Sequence, residues 1–332
     1  MLQIGSYKLQ SKLILAPMAG VTDRPYRDIC RKFGAGLASS EMITSDLSLF
    51  NSKKTQTRLI ETDEPTPRSA QIVGTSPEVM ADAARFNVNL GANIIDINMG
   101  CPAKKVCNKA AGSALMRDTA LVKKILTQVV QAVDVPVTLK TRTGWCESSR
   151  NAIDIAKIAE DAGIASLAIH GRTRSQAYTG FAEYETIRQI KQALSIPIIA
   201  NGDIKTLDDA HFIFQYTGAD GLMLGRISQG QPWIFKELHD SLSYNSSSES
   251  INTQLKINTI LSHISAIHRH YGTDQGIRIA RKHIGWYLYA LVSHKQELLK
   301  SLKRDIFSIK CSQAQLAKLT ELLNKLYATK EI

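Results

Sequence analysis

Over residues 12–224 the chain alternates between two hydrophobic rhythms. Short apolar runs, each stopped by glycine, proline, asparagine or a charge, occupy 12–16, 37–42, 68–73, 93–98, 135–140, 165–170, 196–201 and 221–224. Runs of this kind predict buried strands. Between most of them, apolar positions recur every three or four residues, over 24–33, 76–90, 119–132, 149–162, 184–194 and 206–216. That is the period of a helix with one buried face. Pro77 sits where a helix tolerates proline, in its first turn, and Thr22 and Asp23 offer caps ahead of residue 24. Eight strands alternating with helices predict an α/β fold, a (β/α)8 TIM barrel. A doubly wound sheet alternates in the same way, but no Gly-x-Gly-x-x-Gly follows the first strand.

The rhythm changes near residue 242. Residues 241–250 hold six serines together with Tyr244, Asn245 and Glu249, a composition that predicts a linker over 243–252. Beyond it Leu255, Ile257, Ile260, Leu261, Ile264 and Ile267, then Leu316, Leu319, Leu322, Leu323 and Leu326, keep helical spacing without any strand pattern. The expected organisation is a barrel domain over 1–242 and an all-α domain over 253–332. At 332 residues, 44% hydrophobic and 21% charged, the chain has material for both cores.

Charge and cysteine content narrow the function classes. The net charge is +11, and residues 253–332 hold 13 Lys and Arg against 5 Asp and Glu, so the last quarter carries most of the excess. A polyanionic partner fits such an excess, and so does a solvated, lysine-rich helical surface. Nowhere do eighteen apolar residues follow one another, and residues 1–13 hold no long apolar run or small-residue cleavage site. A cytoplasmic location without membrane association is expected. The five cysteines, Cys30, Cys101, Cys107, Cys146 and Cys311, show no close pairing of the kind that zinc or redox motifs use, so reduced thiols and no metal are expected.

Candidate chemistry collects where the predicted strands end. The run Asn93-Ile94-Ile95-Asp96-Ile97 stops in Asn98-Met99-Gly100-Cys101-Pro102-Ala103-Lys104-Lys105, which places a thiol at a barrel mouth between a Gly and a Pro. A free cysteine is commonly a small buried hydrophobe, but burial does not explain those neighbours. The other strand ends carry Pro17-Met18-Ala19, Gln71, Lys140 with Arg142, His170 with Arg172, Asn201-Gly202-Asp203 and Gly225-Arg226. The last two loops supply backbone N–H donors at the position where barrels hold phosphate, although turn formation also explains either glycine. Lys140 ends an otherwise apolar strand, so its ammonium must be paired or reach the mouth, where it suits an anionic reduced flavin. His170 closes its strand ahead of Gly171-Arg172-Thr173-Arg174; a structural role, a general base and a zinc ligand are the competing readings, and no further ligands at metal spacing accompany it.

These stretches resemble the tRNA-dihydrouridine synthase family, in particular its bacterial B type, over nearly the whole chain. Leu15-Ala16-Pro17-Met18-Ala19-Gly20-Val21-Thr22-Asp23 is similar to the family's opening strand, and Asp96-Ile97-Asn98-Met99-Gly100-Cys101-Pro102 to its signature. Pro102 to Val106, Gly112-Ser113-Ala114-Leu115, His170 to Arg174 and Asn201-Gly202-Asp203-Ile204 fit as well. The resemblance implies an oxidoreductase that reduces the 5,6 double bond of a D-loop uridine in tRNA, position 17 being the expected target. FMN, re-reduced by NADPH, would hand a hydride to C6, and Cys101 would protonate C5 from the opposite face.

The resemblance also implies the contacts. Ala16, Pro17 and Met18 match the segment against the isoalloxazine, Gln71 and Lys140 its polar edge, and His170 a residue beside the ring. Asn201, Gly202, Asp203, Gly225 and Arg226 match the ribityl and phosphate end, while Asn98, with Arg142, matches a uracil contact. Arg278, Arg281 and Lys282 lie in a stretch of cations beside aromatics that resembles the family's RNA-binding helical domain, and a monomer is the expected state. Cys107 is no part of the pattern. Two other readings remain: an FMN barrel oxidoreductase acting on a small pyrimidine, and a non-catalytic tRNA-binding protein.

Overall fold

The computed structural model describes residues 1–244 and 251–328, and the chain divides into two compact units. Most of the expected linker lies outside the described residues. The first unit comprises Met1–Asp23 and Gly34–Gly225; the second comprises Arg24–Phe33 and Arg226–Ile332. The helix that follows the first barrel strand therefore belongs to the second unit, not to the first.

The first unit begins with a hairpin of β1 (Leu2–Ile4) and β2 (Tyr7–Leu9), which the sequence pattern did not predict. Gly5, at φ 55°, makes its turn. A single sheet follows: β3 (Leu13–Leu15), β4 (Leu37–Ala38), β5 (Ile43–Thr44), β6 (Ser69–Val73), β7 (Ile94–Asn98), β8 (Val137–Arg142), β9 (Ser166–His170), β10 (Ile198–Asn201) and β11 (Gly221–Leu224). Every pairing within it is parallel, in the order β4-β3-β11-β10-β9-β8-β7-β6-β5.

Of the expected second strand, 37–42, only Leu37–Ala38 forms a strand, β4; β5, Ile43–Thr44, lies just past its end. The chain bends between them at Ser39-Ser40-Glu41, where serine hydroxyls take over ladder positions: Ser39 Oγ lies 2.9 Å from Ser69 Oγ, and the Gln71 N–H donates to Ser40 Oγ at 3.1 Å. A parallel bridge between Ser39 and Ser69, with the Ser40 N–H donating to the Ser69 carbonyl at 2.9 Å, joins the two ends of the sheet. The eight-stranded TIM-barrel-like fold is thus present.

In chain order the helices are α1 (Arg24–Lys32, second unit), α2 (Lys53–Gln56), α3 (Pro77–Asn89), α4 (Lys104–Cys107), α5 (Thr119–Gln131), α6 (Ala152–Asp161), α7 (Glu185–Ala193) and α8 (Leu207–Thr217). Their starts are encoded locally. Ser76 accepts from the Val79 N–H with Pro77 in the first turn, Asp118 accepts from Leu121, and Thr206 with Asp209 forms a capping box. Gly218, at φ 66°, ends α8 in the left-handed conformation. Inside the barrel, Leu2, Ile4 and Leu9 pack with Ile14, Leu37, Ile94, Ala168, Ile199 and Met223. Gly5 faces Pro136, just ahead of β8, and Gly221, which opens β11, faces Leu2, so the hairpin fills the end opposite the strand termini. Each such side chain contributes about 1.5–3 kcal/mol by leaving water.

The second unit is helical: α1, then α9 (Ile234–Tyr244), α10 (Thr253–Tyr271), α11 (Thr273–Val292), α12 (Gln296–Phe307) and α13 (Ser312–Ala328). Its centre is aromatic and polar. His263 Nδ1 lies 2.9 Å from the Tyr287 hydroxyl, the Tyr26 hydroxyl donates to Ser228 Oγ at 3.0 Å, and the His263 and His283 rings meet edge-on with centroids 4.9 Å apart. Among the described residues no helix is long and apolar enough to cross a membrane.

Candidate active site

Strand register brings most of the expected residues to one level of the first unit. Asn98 pairs with Lys140, Arg142 with His170, His170 with Asn201, and Asn201 with Met223. Lys140 then reaches past β9, and its Nζ donates to Asn201 Oδ1 at 3.1 Å, while Asn201 Nδ2 donates to the Met223 carbonyl at 2.7 Å. Burial, followed by the neighbouring Arg142 charge, lowers the Lys140 pKa to about 8.

Cys101 follows β7 directly and is half-buried. Its N–H donates to Asn98 Oδ1 at 2.9 Å, as does that of Gly100 at 3.2 Å, so one amide oxygen collects two donors of the turn. Its carbonyl accepts from the Ser113 hydroxyl at 3.0 Å and from the Cys107 thiol at 3.5 Å. Loss of water raises the Cys101 thiol pKa; the Ala103 N–H and the charges of Arg142 and Lys140 only partly offset it. The thiol is therefore protonated at neutral pH.

Arg142 is committed to the backbone. It donates to the carbonyls of Gly100 at 2.7 Å, Thr173 at 3.1 Å and Ala177 at 3.0 Å, and its guanidinium lies 5.7 Å from the centroid of the Tyr178 ring. It thus ties the turn before Cys101 to the loop after β9.

At the other side of the mouth, Arg172 binds Asp203 Oδ2 at 2.6 Å, which also accepts from the Ala182 N–H at 2.8 Å. Burial alone would raise the Asp203 carboxyl pKa; these two donors outweigh it and the net shift is downward. Gly202 at φ 126° and Asp203 at φ 41° make a turn that ordinary side chains resist. A Cβ on Gly202 would stand 2.8 Å from Ala182 Cβ and 3.0 Å from His170 Cδ2. At Gly225 the nearest atoms, Met18 Sδ and Ala16 Cβ, would be at an ordinary 3.6 and 3.7 Å. Gly202→Ala is expected to cost about 1–3 kcal/mol of stability, and Gly225→Ala no more than about 0.5 kcal/mol. Thermal denaturation of the two variants checks the contrast, and equal melting points would refute it.

Ala16, Pro17, Met18 and Gln71 also lie in the first unit, whereas Arg226, Arg278, Arg281 and Lys282 fall in the second. Arg226 opens a short 3-10 helix, Arg226–Ser228. On α11, Arg278 is exposed, whereas Arg281 is half-buried and donates to the Ile309 carbonyl at 3.2 Å, and Lys282 is half-buried.

Residues 14–326 match the family model described as dihydrouridine synthase (Dus). The chain belongs to the dihydrouridine synthase family. Its members include the tRNA-dihydrouridine synthase B of Pseudomonas syringae pv. tomato, 58% identical over 87% of this chain and 86% of that one. The tRNA-dihydrouridine synthase B of Vibrio vulnificus is 50% identical over 95% and 96%. Among solved structures, a 2-naphthoyl-CoA reductase complex superposes with a TM-score of 0.56 at 15% identity, over 71% of this chain and 51% of that one, a likeness of fold alone. As a dihydrouridine synthase family member the chain is an oxidoreductase.

Three residues of the family member's mouth were not anticipated. Asp96 and Thr138 lie beneath Asn98, hydrogen-bonded to each other at 2.7 Å, and each reads locally as one polar residue inside a buried strand. Trp145, in the loop after β8, has the guanidinium groups of Arg117 and Arg174 at 5.2 and 4.5 Å from its ring centroid. No local signal beyond an aromatic in a loop marks it.

Proposed function

We propose that the chain is a flavin-dependent tRNA-dihydrouridine synthase that reduces the 5,6 double bond of a D-loop uridine, with NADPH as reductant and position 17 as the expected target. The observation that carries the reading is the half-buried, protonated Cys101 thiol at the same strand ends as the Lys140–Asn201 pair. The donor set fits FMN. A buried ammonium and the Gln71 amide would suit the polar edge of a ring that becomes anionic, the apolar Ala16-Pro17-Met18 stretch would suit its face, and His170 would border it. The tight turn at Gly202 and Asp203, with Asn201, Gly225 and Arg226, suits the ribityl and phosphate end. When bound, reduced FMN supplies the hydride that C6 of the uracil accepts.

The chain's own residues do the rest. Asn98, with one amide hydrogen still available, orients the uracil, and the Cys101 thiol gives its proton to C5 from the opposite face. Arg142 holds the turn next to that thiol through the Gly100 carbonyl. A uridine stacked in folded RNA must be extruded to reach this depth, which costs a few kcal/mol. Phosphate contacts from the basic second unit offset that cost, with Arg278 the most exposed of the three cations on α11.

The test is dihydrouridine formation on tRNA from cells lacking this gene, with purified protein and NADPH. Binding is expected to weaken steeply as salt rises, and Arg278→Ala to lower the slope of log K against log salt by about one. Equal turnover of free uridine would point instead to a small pyrimidine substrate. Protein that neither carries nor takes up FMN would be an RNA binder without catalysis.

A further inference from the structure

The turn that carries Cys101 is anchored from below by a chain of side chains on neighbouring strands. Thr138, on β8, donates its hydroxyl to Asp96 Oδ1 at 2.7 Å, and Gln71, on β6, donates Nε2 to Asp96 Oδ2 at 2.6 Å. With its NH2 group turned to Asp96, Gln71 presents Oε1 to Asn98, whose Nδ2 donates to it at 2.8 Å. Asn98 is thereby fixed with Oδ1 toward the turn, where it accepts from the N–H groups of Gly100 and Cys101. Gln71, Asp96 and Asn98 are 1%, 4% and 7% exposed, so water does not supply alternative partners.

An amide can be turned round, exchanging donor and acceptor, and two amides in series can be turned together. Two ends fix their sense: the Gly100 and Cys101 N–H groups, which only donate, and the ionised carboxylate of Asp96, which only accepts. We propose that Asp96 is a positioning residue that fixes, through the Gln71 and Asn98 amides, the segment carrying the Cys101 thiol. This inference rests on the synthase reading for its consequence in turnover, but not for its geometry. Without the Asp96 acceptor the buried Gln71 amide loses its partner at one end, and its hold on Asn98 Nδ2, and through Asn98 on the turn, slackens.

Burial dominates the Asp96 environment and raises its pKa to about 6, against the hydrogen bonds from Thr138 and Gln71 and the charge of Lys140. A protonated Asp96 is a neutral acceptor, as Asn is, and holds the Gln71 amide more weakly than the carboxylate does. Wild-type turnover is therefore expected to fall as pH drops through this range. Thr138→Val removes a hydrogen bond that favours the ionised form and should move the acid limb to higher pH. Asp96→Asn can show its carbonyl to Gln71 and its amide to Thr138, so it should keep turnover within a few-fold and lose this limb. Asp96→Leu offers no acceptor and should lower kcat about tenfold or more with the KM for tRNA unchanged, because the loss is one of orientation.

The second readout needs neither tRNA nor flavin: iodoacetamide labelling of Cys101, resolved from the other thiols by peptide mass, in the full chain. Asp96→Leu is expected to raise its labelling rate several-fold, and Asp96→Asn to leave it near wild type. An acid limb at the same pH in wild type, Thr138→Val and Asp96→Asn, or Cys101 labelling indifferent to Asp96→Leu, would overturn the proposal. A wild-type protein that forms no dihydrouridine would overturn the functional reading alone, since the labelling still tests the anchor.

Discussion

Cys101→Ala is expected to lose dihydrouridine formation by about a hundred- to ten-thousand-fold, the usual worth of a positioned general acid. Flavin retention and folding should be unaffected. The residue type and its surroundings both support the size of the effect. A proton donor must hold its proton in the resting enzyme, and burial of Cys101 raises its pKa, so the thiol form is complete at neutral pH. The donor must also tolerate the thiolate once the proton has gone to carbon, and Arg142 and Lys140, whose charges lower that same pKa, are placed to do so. The thiol's own partner is the neighbouring Ala103 N–H; the contacts that anchor residue 101 within the turn and to Ser113 are made by its N–H and carbonyl, which alanine keeps. Single-turnover measurement on tRNA, with the visible flavin spectrum and melting temperature as controls, separates the outcomes. A variant of normal rate would remove Cys101 from the chemistry.

How much of this was legible beforehand depends on the range of the interactions involved. Eight strands and the residues at their ends were readable because a buried strand announces itself within six residues and stops at turn chemistry. The β1–β2 hairpin was not. Its strands have three residues each, too few for alternation to stand out, although Leu2, Ile4 and Leu9 fill the closed end of the barrel. The early end of the second strand is encoded by Ser39 and Ser40, whose hydroxyls compete with the ladder only when Ser69 and Gln71 are across from them.

The same limit explains the site. Cys101, Lys140 and His170 could be nominated singly, but the bond from Lys140 to Asn201 spans two strand pairings, and the Asp96–Gln71–Asn98 chain spans two neighbouring strands. Cross-strand register is not a property of any local window. Arg142 illustrates the consequence: its sequence position suggests a base contact, and its three carbonyl acceptors are visible only once the loop after β9 is folded over it.

The second unit should be acid-sensitive, with a steepness set by two histidines. His263 and His283 lie within its core, where burial, aided by Lys282, lowers the His263 pKa to about 3 and that of His283 well below 6.5. Among the described residues neither Nε2 has a hydrogen-bond partner, so nothing nearby favours the charged form. Both imidazoles are neutral in the folded chain. In the unfolded chain they titrate near 6.5, so below that pH the unfolded state binds more protons and stability falls with pH. The stability is complete above about 6.5 and is lost progressively as pH drops toward the folded values, at about 1.4 kcal/mol per pH unit for each histidine. Between pH 6.5 and 5 the pair removes about 3 kcal/mol, a large share of the 5–15 kcal/mol typical of a domain. Asp96 in the first unit has the opposite sign, since a carboxyl whose folded pKa is raised relieves its cost on protonation. Two of the three tryptophans, Trp233 and Trp286, lie in the second unit, so urea unfolding followed by tryptophan fluorescence at pH 7.5 and 5.0 reports mainly on it. The midpoint should drop sharply at the lower pH in the wild type and much less in His263→Asn/His283→Gln, where no group remains to be charged. A double variant whose midpoint falls as far as that of the wild type would place the acid sensitivity elsewhere.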